Sequence, residues 1–234
     1  MKTLGQILLK LSLMSVLSNE RVGITLEYLL AMKYKLPGNY YTHRFKPSKP
    51  LDKIIDTVHS ILQNEKIVLK EYSGPLNTYY DFKTEEGNTL SLKSNFKGYK
   101  VCPQTIGQIS KEKWLNKFQC NSTTTTTDHK VVFMTNKELI VKEYWRNLFP
   151  CDHNIWIRYE NQDWKATYIH KSTTTTTPFF TNNLETTRTL EQWVESNTVK
   201  YQGKSIGEIQ IHRNRNCIKF RFNMSNCLKF LIRS

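Results

Sequence analysis

The chain has no Cys-x-x-Cys pair, and its five cysteines (Cys102, Cys120, Cys151, Cys217, Cys227) are an odd, scattered set. That argues against a disulfide framework or a zinc knuckle and leaves reduced thiols in a cytoplasmic protein as the simple account. Cys151-Asp152-His153 resembles a ligand or nucleophile cluster, but zinc would need two more ligands from elsewhere. Long apolar runs are missing too, so no membrane span is expected. The nearest approach, Leu4–Leu17, is interrupted by Gln6 and Lys10 and followed by no small-x-small cleavage site. Leu4, Ile7, Leu8, Leu11, Met14 and Leu17 fall instead at helical spacing, which predicts a helix over Thr3–Leu17. Acids are scarce: 20 Asp and Glu stand against 34 Lys and Arg, a formal charge of +14. An excess of that size points to a polyanionic partner, nucleic acid before membrane, although a basic soluble protein has the same balance.

What is present suits a folded chain. At 234 residues, 38% apolar and 12% aromatic, it can bury a substantial core. Ser18 or Asn19 caps a helix over Glu20–Tyr34 that Pro37-Gly38 ends, and Pro50 opens another over Leu51–Asn64. Between them, Gly38–Lys49 interleaves rings and cations, Arg44 among them, as suits phosphate contact or a packed surface loop. Lys66–Glu71 reads as a strand, Pro103–Phe118 as a helix, and Asn136 as the cap of a helix over Lys137–Phe149. His153–Glu160 and Asp163–His170 form a hairpin around Asn161-Gln162, and Thr187–Ser196 a short helix. Two tracts of a serine followed by a run of threonines, Ser122–Thr127 and Ser172–Thr177, have unrelated flanks, so they are no repeat; extended strands or loops suit them.

The chemistry concentrates between Ser73 and Gln108. Thr78–Lys83 and Thr89–Asn95 read as a hairpin around a loop Glu86-Gly87-Asn88. In that register Asp81 lies opposite Lys93, and Ser91, Lys93 and Asn95 share one face, so a carboxylate, a hydroxyl and an ammonium converge.

An acid at a strand end, a turn, then acid-x-lysine on the next strand is the pattern of the PD-(D/E)xK nucleases. Asp81, Ser91 and Lys93, with Ser-Leu-Lys-Ser-Asn and Lys100-Val-Cys-Pro-Gln-Thr-Ile-Gly-Gln following, resemble that core, type II restriction endonucleases in particular. Ser91 stands where the family places its second acid. The resemblance implies an α/β fold, a central mixed β-sheet flanked by helices, with the hairpin inside it. Residues 1–120 would form the catalytic core, and 121–234 would continue the same domain with the recognition hairpins. It also implies Mg2+ held by Asp81 and the Leu92 carbonyl, with Lys93 positioning the attacking water and Ser91 a weaker neutral ligand. An outside acid is then needed. Glu27 on the early helix resembles the family's helix glutamate, though a solvated helix glutamate looks the same, and Glu71 is a second candidate.

The C-terminal run reads as a basic β-ribbon of two strands joined at Asn214-Arg215-Asn216. Its cations Lys219 and Arg221 alternate with Phe220 and Phe222, and His212, Arg213 and Arg215 lie near the turn. Such a ribbon suits a DNA groove, or is a plain exposed sheet face. Lys97 and Lys100 form a basic turn, and the resemblance adds Gln104 and Gln108 as residues facing DNA. The expected function is a site-specific deoxyribonuclease acting on double-stranded DNA. Cutting both strands of a palindrome implies a homodimer, and the family implies a companion DNA methyltransferase. The alternatives are a non-catalytic DNA-binding protein and a related repair or homing nuclease.

Overall fold

The computed structural model describes residues 18–37, 49–73, 79–96, 98–119, 128–175 and 183–231. The expected helix over Thr3–Leu17, Arg44 and its loop, Lys97 and the first Thr tract lie outside the described residues. The chain divides into two compact units, one from residues 1–98 and 151–171, the other from 99–150 and 172–234.

In the first unit, α1 (Asn19–Lys33) begins where Ser18 Oγ accepts the Arg21 N–H at 3.2 Å. Glu20 in its first turn and Lys33 in its last oppose the helix dipole. α2 (Lys49–Asn64) buries Leu51, Ile54, Ile55, Val58 and Leu62, one stripe of a 3.6-residue period. Lys66, with φ of 56°, closes it as the Ile67 N–H returns to the Leu62 carbonyl. The strand expected from Lys66 therefore starts only at Leu69. β1 (Leu69–Tyr72), β2 (Phe82–Thr84), β3 (Thr89–Asn95), β6 (His153–Glu160) and β7 (Asp163–His170) form a mixed sheet in the order β1-β2-β3-β6-β7. Only β3 and β6 run parallel, and β3 is central and buried on both faces along its first half. Phe82, Leu90, Leu92, Ile155 and Ile157 meet both helices in one apolar cluster. The unit is thus a mixed α/β arrangement with the hairpin inside its sheet. Asn161 and Gln162 both have positive φ, the two-residue hairpin turn expected between β6 and β7.

The second unit carries an antiparallel sheet ordered β4 (Lys100–Val101), β11 (Ile218–Asn223), β10 (Lys204–Ile211), β9 (Ser196–Tyr201), β8 (Glu185–Thr186), with β5 (Gln108–Ile109) also on β11. Helices α3 (Lys111–Gln119), α4 (His129–Leu148) and α6 (Met224–Leu231) complete it, and α5 (Lys171–Thr175) follows β7. Tyr144 stacks on Phe220 at 4.4 Å and its hydroxyl accepts the Trp114 indole N–H at 2.7 Å. The alternation of β11 holds: Ile218, Phe220 and Phe222 are buried while Lys219 and Arg221 lie half-buried on the opposite face.

Four expectations are corrected here. Pro103–Phe118 is helical only from Lys111, because the Gly107 carbonyl accepts the Phe220 N–H at 2.7 Å and ties this segment to β11. Asn136 kinks α4 (φ −120°, ψ 24°) instead of starting it, and the helix begins at an Asp128 cap. Thr187–Ser196 is not a helix, since its backbone bonds to the sheet: the Thr187 N–H to the Thr198 carbonyl, the Glu195 carbonyl to the Ile211 N–H. The start of the second Thr tract is helical, within α5, and not extended. No described helix is long and apolar enough to cross a membrane.

Candidate active site

The hairpin of Asp81 is one residue out of its expected loop. Phe82 pairs with Leu90 and Lys83 with Thr89, a register that carries Asp81 toward Ser91 and not Lys93. The Thr84 N–H bonds to the Asn88 carbonyl, and Asn88 N–H to Thr84 Oγ1, which pulls the loop back to residues 85–87 with Gly87 at φ +83°. Moving a loop by one residue moves each cross-strand pair by two, and two is the side-chain period. Ser91 and Lys93 therefore keep the face expected of them.

The Asp81 N–H still bonds to the Leu90 carbonyl of β3 at 2.9 Å, and from there the side chain takes over as acceptor. Asp81 Oδ2 accepts both the Ser91 hydroxyl and the Leu92 N–H, each at 2.7 Å. The N–H and C=O of one strand residue point to the same edge, so the Leu92 carbonyl faces the edge that β2 has just vacated. Glu27 approaches from α1. The start of that helix is pinned to β3: the Asn19 carbonyl accepts the Ser94 hydroxyl at 3.1 Å and Asn19 Oδ1 the Phe96 N–H at 2.7 Å. A Cβ at Gly23 would stand 3.2 Å from Ser94 Oγ, so the absence of a side chain lets helix and strand close up. One turn further on, Glu27 Oε2 accepts the Tyr72 hydroxyl at 3.2 Å.

The two carboxyls feel each other. Burial and then Asp81 raise Glu27 well above the ordinary glutamate range, against the Tyr72 hydrogen bond and Lys93. Burial raises Asp81 too, opposed by Lys93, Ser91 and the Leu92 N–H. Lys93 is thus the counter-charge to both. Cys151 also lies in the field of Lys93 and Asp81; burial pushes its thiol up to about 12, and Sγ donates to the Tyr79 carbonyl at 3.3 Å. At neutral pH it is therefore held as a thiol and not as a thiolate nucleophile. Glu71 accepts the Ser73 hydroxyl at 3.1 Å and pairs across the sheet with Lys83.

Among the described residues no three His, Cys, Asp or Glu side chains form a metal-holding group. Two carboxylates and a carbonyl are nevertheless a hard oxygen set, with positions left for water. That set fits Mg2+ and not a thiolate-seeking metal. The mutual repulsion of two half-buried carboxylates is what a cation there would relieve. Sequence reasoning missed Tyr72 and did not bring Cys151 to the carboxylates: one is an ordinary strand aromatic, the other an isolated thiol, and neither carries a local signal of this site.

The remaining candidates lie in the second unit. Arg213 and Arg215 are exposed in the β10–β11 turn, and Gln104 is exposed in the turn before β5. Gln108 pairs with Lys219. Glu208, which the sequence reading did not single out, sits among the cations: it forms ion pairs with Lys100 and Arg221 and accepts the Gln210 side-chain N–H at 2.6 Å. His212 Nδ1 lies 3.1 Å from Glu195.

No protein-family model matches the chain. It is similar to the type II restriction enzyme CviAII of Paramecium bursaria Chlorella virus 1, 31% identical over 221 residues. The similarity covers 91% of this chain, which spans 60% of that enzyme's length.

Proposed function

We propose that the chain is a type II restriction endonuclease of the PD-(D/E)xK superfamily, a Mg2+-dependent deoxyribonuclease cutting double-stranded DNA at a short sequence. The similarity over most of the chain supports the class. The chemistry rests on one observation: Asp81, clamped by Ser91 and the Leu92 N–H, shares the field of Lys93 with Glu27.

A phosphodiester resists attack because its own negative charge repels the nucleophile. Asp81, Glu27 and the Leu92 carbonyl would hold the cation. When bound it offsets phosphate charge and acidifies water. Lys93 adds a fixed positive charge for the transition state and orients the water. Ser91 and Leu92 lock the Asp81 carboxylate in one rotamer, while the Tyr72 hydroxyl does the same for Glu27. The β10–β11 strands, with Lys100, Gln104 and Gln108, would contact the DNA. Two strand cuts at a palindrome favour a homodimer, and a companion DNA methyltransferase would protect the host's own sites. The free thiols of Cys102, Cys151, Cys217 and Cys227 suit the cytoplasm.

Digestion of a complex DNA with purified protein and Mg2+ tests this reading. Discrete bands are expected. A smear would indicate a general nuclease, and intact DNA a binding protein without catalysis.

A further inference from the structure

Both hydrogen bonds to the Asp81 carboxylate fall on one atom. Oδ2 takes the Ser91 hydroxyl and the Leu92 N–H, which uses both its lone pairs, whereas Oδ1 accepts nothing among the described residues. A carboxylate that bridges two cations offers one oxygen to each, and here one of the two is spent on the protein. Ser91 compounds this. Where a carboxylate would add an anionic ligand, it places a buried donor aimed at its neighbour.

Charge points the same way. Asp81 and Glu27 ionised beside Lys93 leave a single net negative charge. One divalent cation turns it into a single positive charge, matched to one phosphate. A second would leave three positive charges in a half-buried site with no further carboxylate placed there among the described residues. Glu71 is engaged with Ser73 and lies across from Lys83.

We infer that this site holds one divalent cation per chain, bound through Asp81 Oδ1 and Glu27, and not a bridged pair. The inference rests on the metal-dependent reading above. Mn2+ titration of the full chain, followed by the free-ion electron paramagnetic resonance signal, tests it on wild type and Asp81→Asn in parallel. Wild type should bind one equivalent that Asp81→Asn does not. A difference of two equivalents overturns the inference and leaves the nuclease reading standing. No difference overturns both. Glu27→Gln gives the same count from the other ligand: it should lose the same single equivalent, with the hydrogen bonds of Asp81 untouched.

Discussion

Lys93 eases the ionisation of Asp81, Glu27 and Cys151 at once, so its removal should be felt through the charge of the whole cluster. Lys93→Ala should lower the cleavage rate by about a hundred- to a thousand-fold, the usual cost of losing one transition-state partner. DNA binding in Ca2+ should survive, because the carboxylates and the second unit are untouched. Equal loss of both in a binding and cleavage assay would count against the role assigned to Lys93. Glu27 makes a prediction of opposite kind. Its folded carboxyl titrates well above the ordinary value of 4.5, so the folded chain keeps a proton that the unfolded chain has lost. Its contribution to stability is complete below 4.5 and declines as pH rises through the raised value. Without divalent ions, melts of wild type should therefore lose ground to Glu27→Gln as pH is raised from 4.5. Added Mg2+ should close the gap, and parallel curves would mean that Glu27 ionises freely.

Local signals made some elements readable and left others dark. β6 and β7 fell at their expected ends because alternating aromatics flank a two-residue turn. The hairpin of Asp81 was readable in face but not in register: whether Glu85 or Asn88 joins the loop depends on the Thr84 hydrogen bonds, which no composition rule encodes. Asp81 and Lys93 were legible through the spacing of their hairpin, and Glu27 as a candidate through its likeness to the family's helix glutamate; Tyr72 was not, since only tertiary packing brings it to Glu27. The loop before β9 failed for the same reason, its backbone partners Thr198 and Ile211 lying beyond the stretch that reads as a helix. Two substitutions test the geometry of these elements. Gln162 holds φ of 65° in a turn that favours Asn-Gly, so Gln162→Gly should stabilise the protein by roughly 0.5–1 kcal/mol in urea melts. Gly207→Ala should do the reverse. Its Cβ would meet Phe220 Cζ at 2.6 Å within the β10–β11 pair, an overpacking that costs about 1–3 kcal/mol.

Across the whole molecule the charge of +14 asks for a polyanion, but the cations are not equivalent. Arg213 and Arg215 stand exposed at a turn, suited to phosphates at whatever sequence passes. Arg221 and Lys100 are instead held by Glu208, with Gln210 locking the carboxylate from its other oxygen. A long side chain held in one geometry reads a base edge better than a free one, at the expense of non-specific attraction. Affinity for random DNA should therefore fall steeply with salt, and Arg215→Ala should flatten the log–log slope by about 0.9 for the phosphate it gives up. Glu208→Gln should act differently. Removing the anion releases two cations, so binding to random DNA should tighten and its salt dependence steepen, while the preference for the cleaved site shrinks. Competition binding between a cleaved fragment and random DNA measures that preference. If Glu208→Gln left it unchanged, Arg221 and Lys100 would be phosphate contacts like the arginines at the turn, and sequence reading would have to lie elsewhere in the chain.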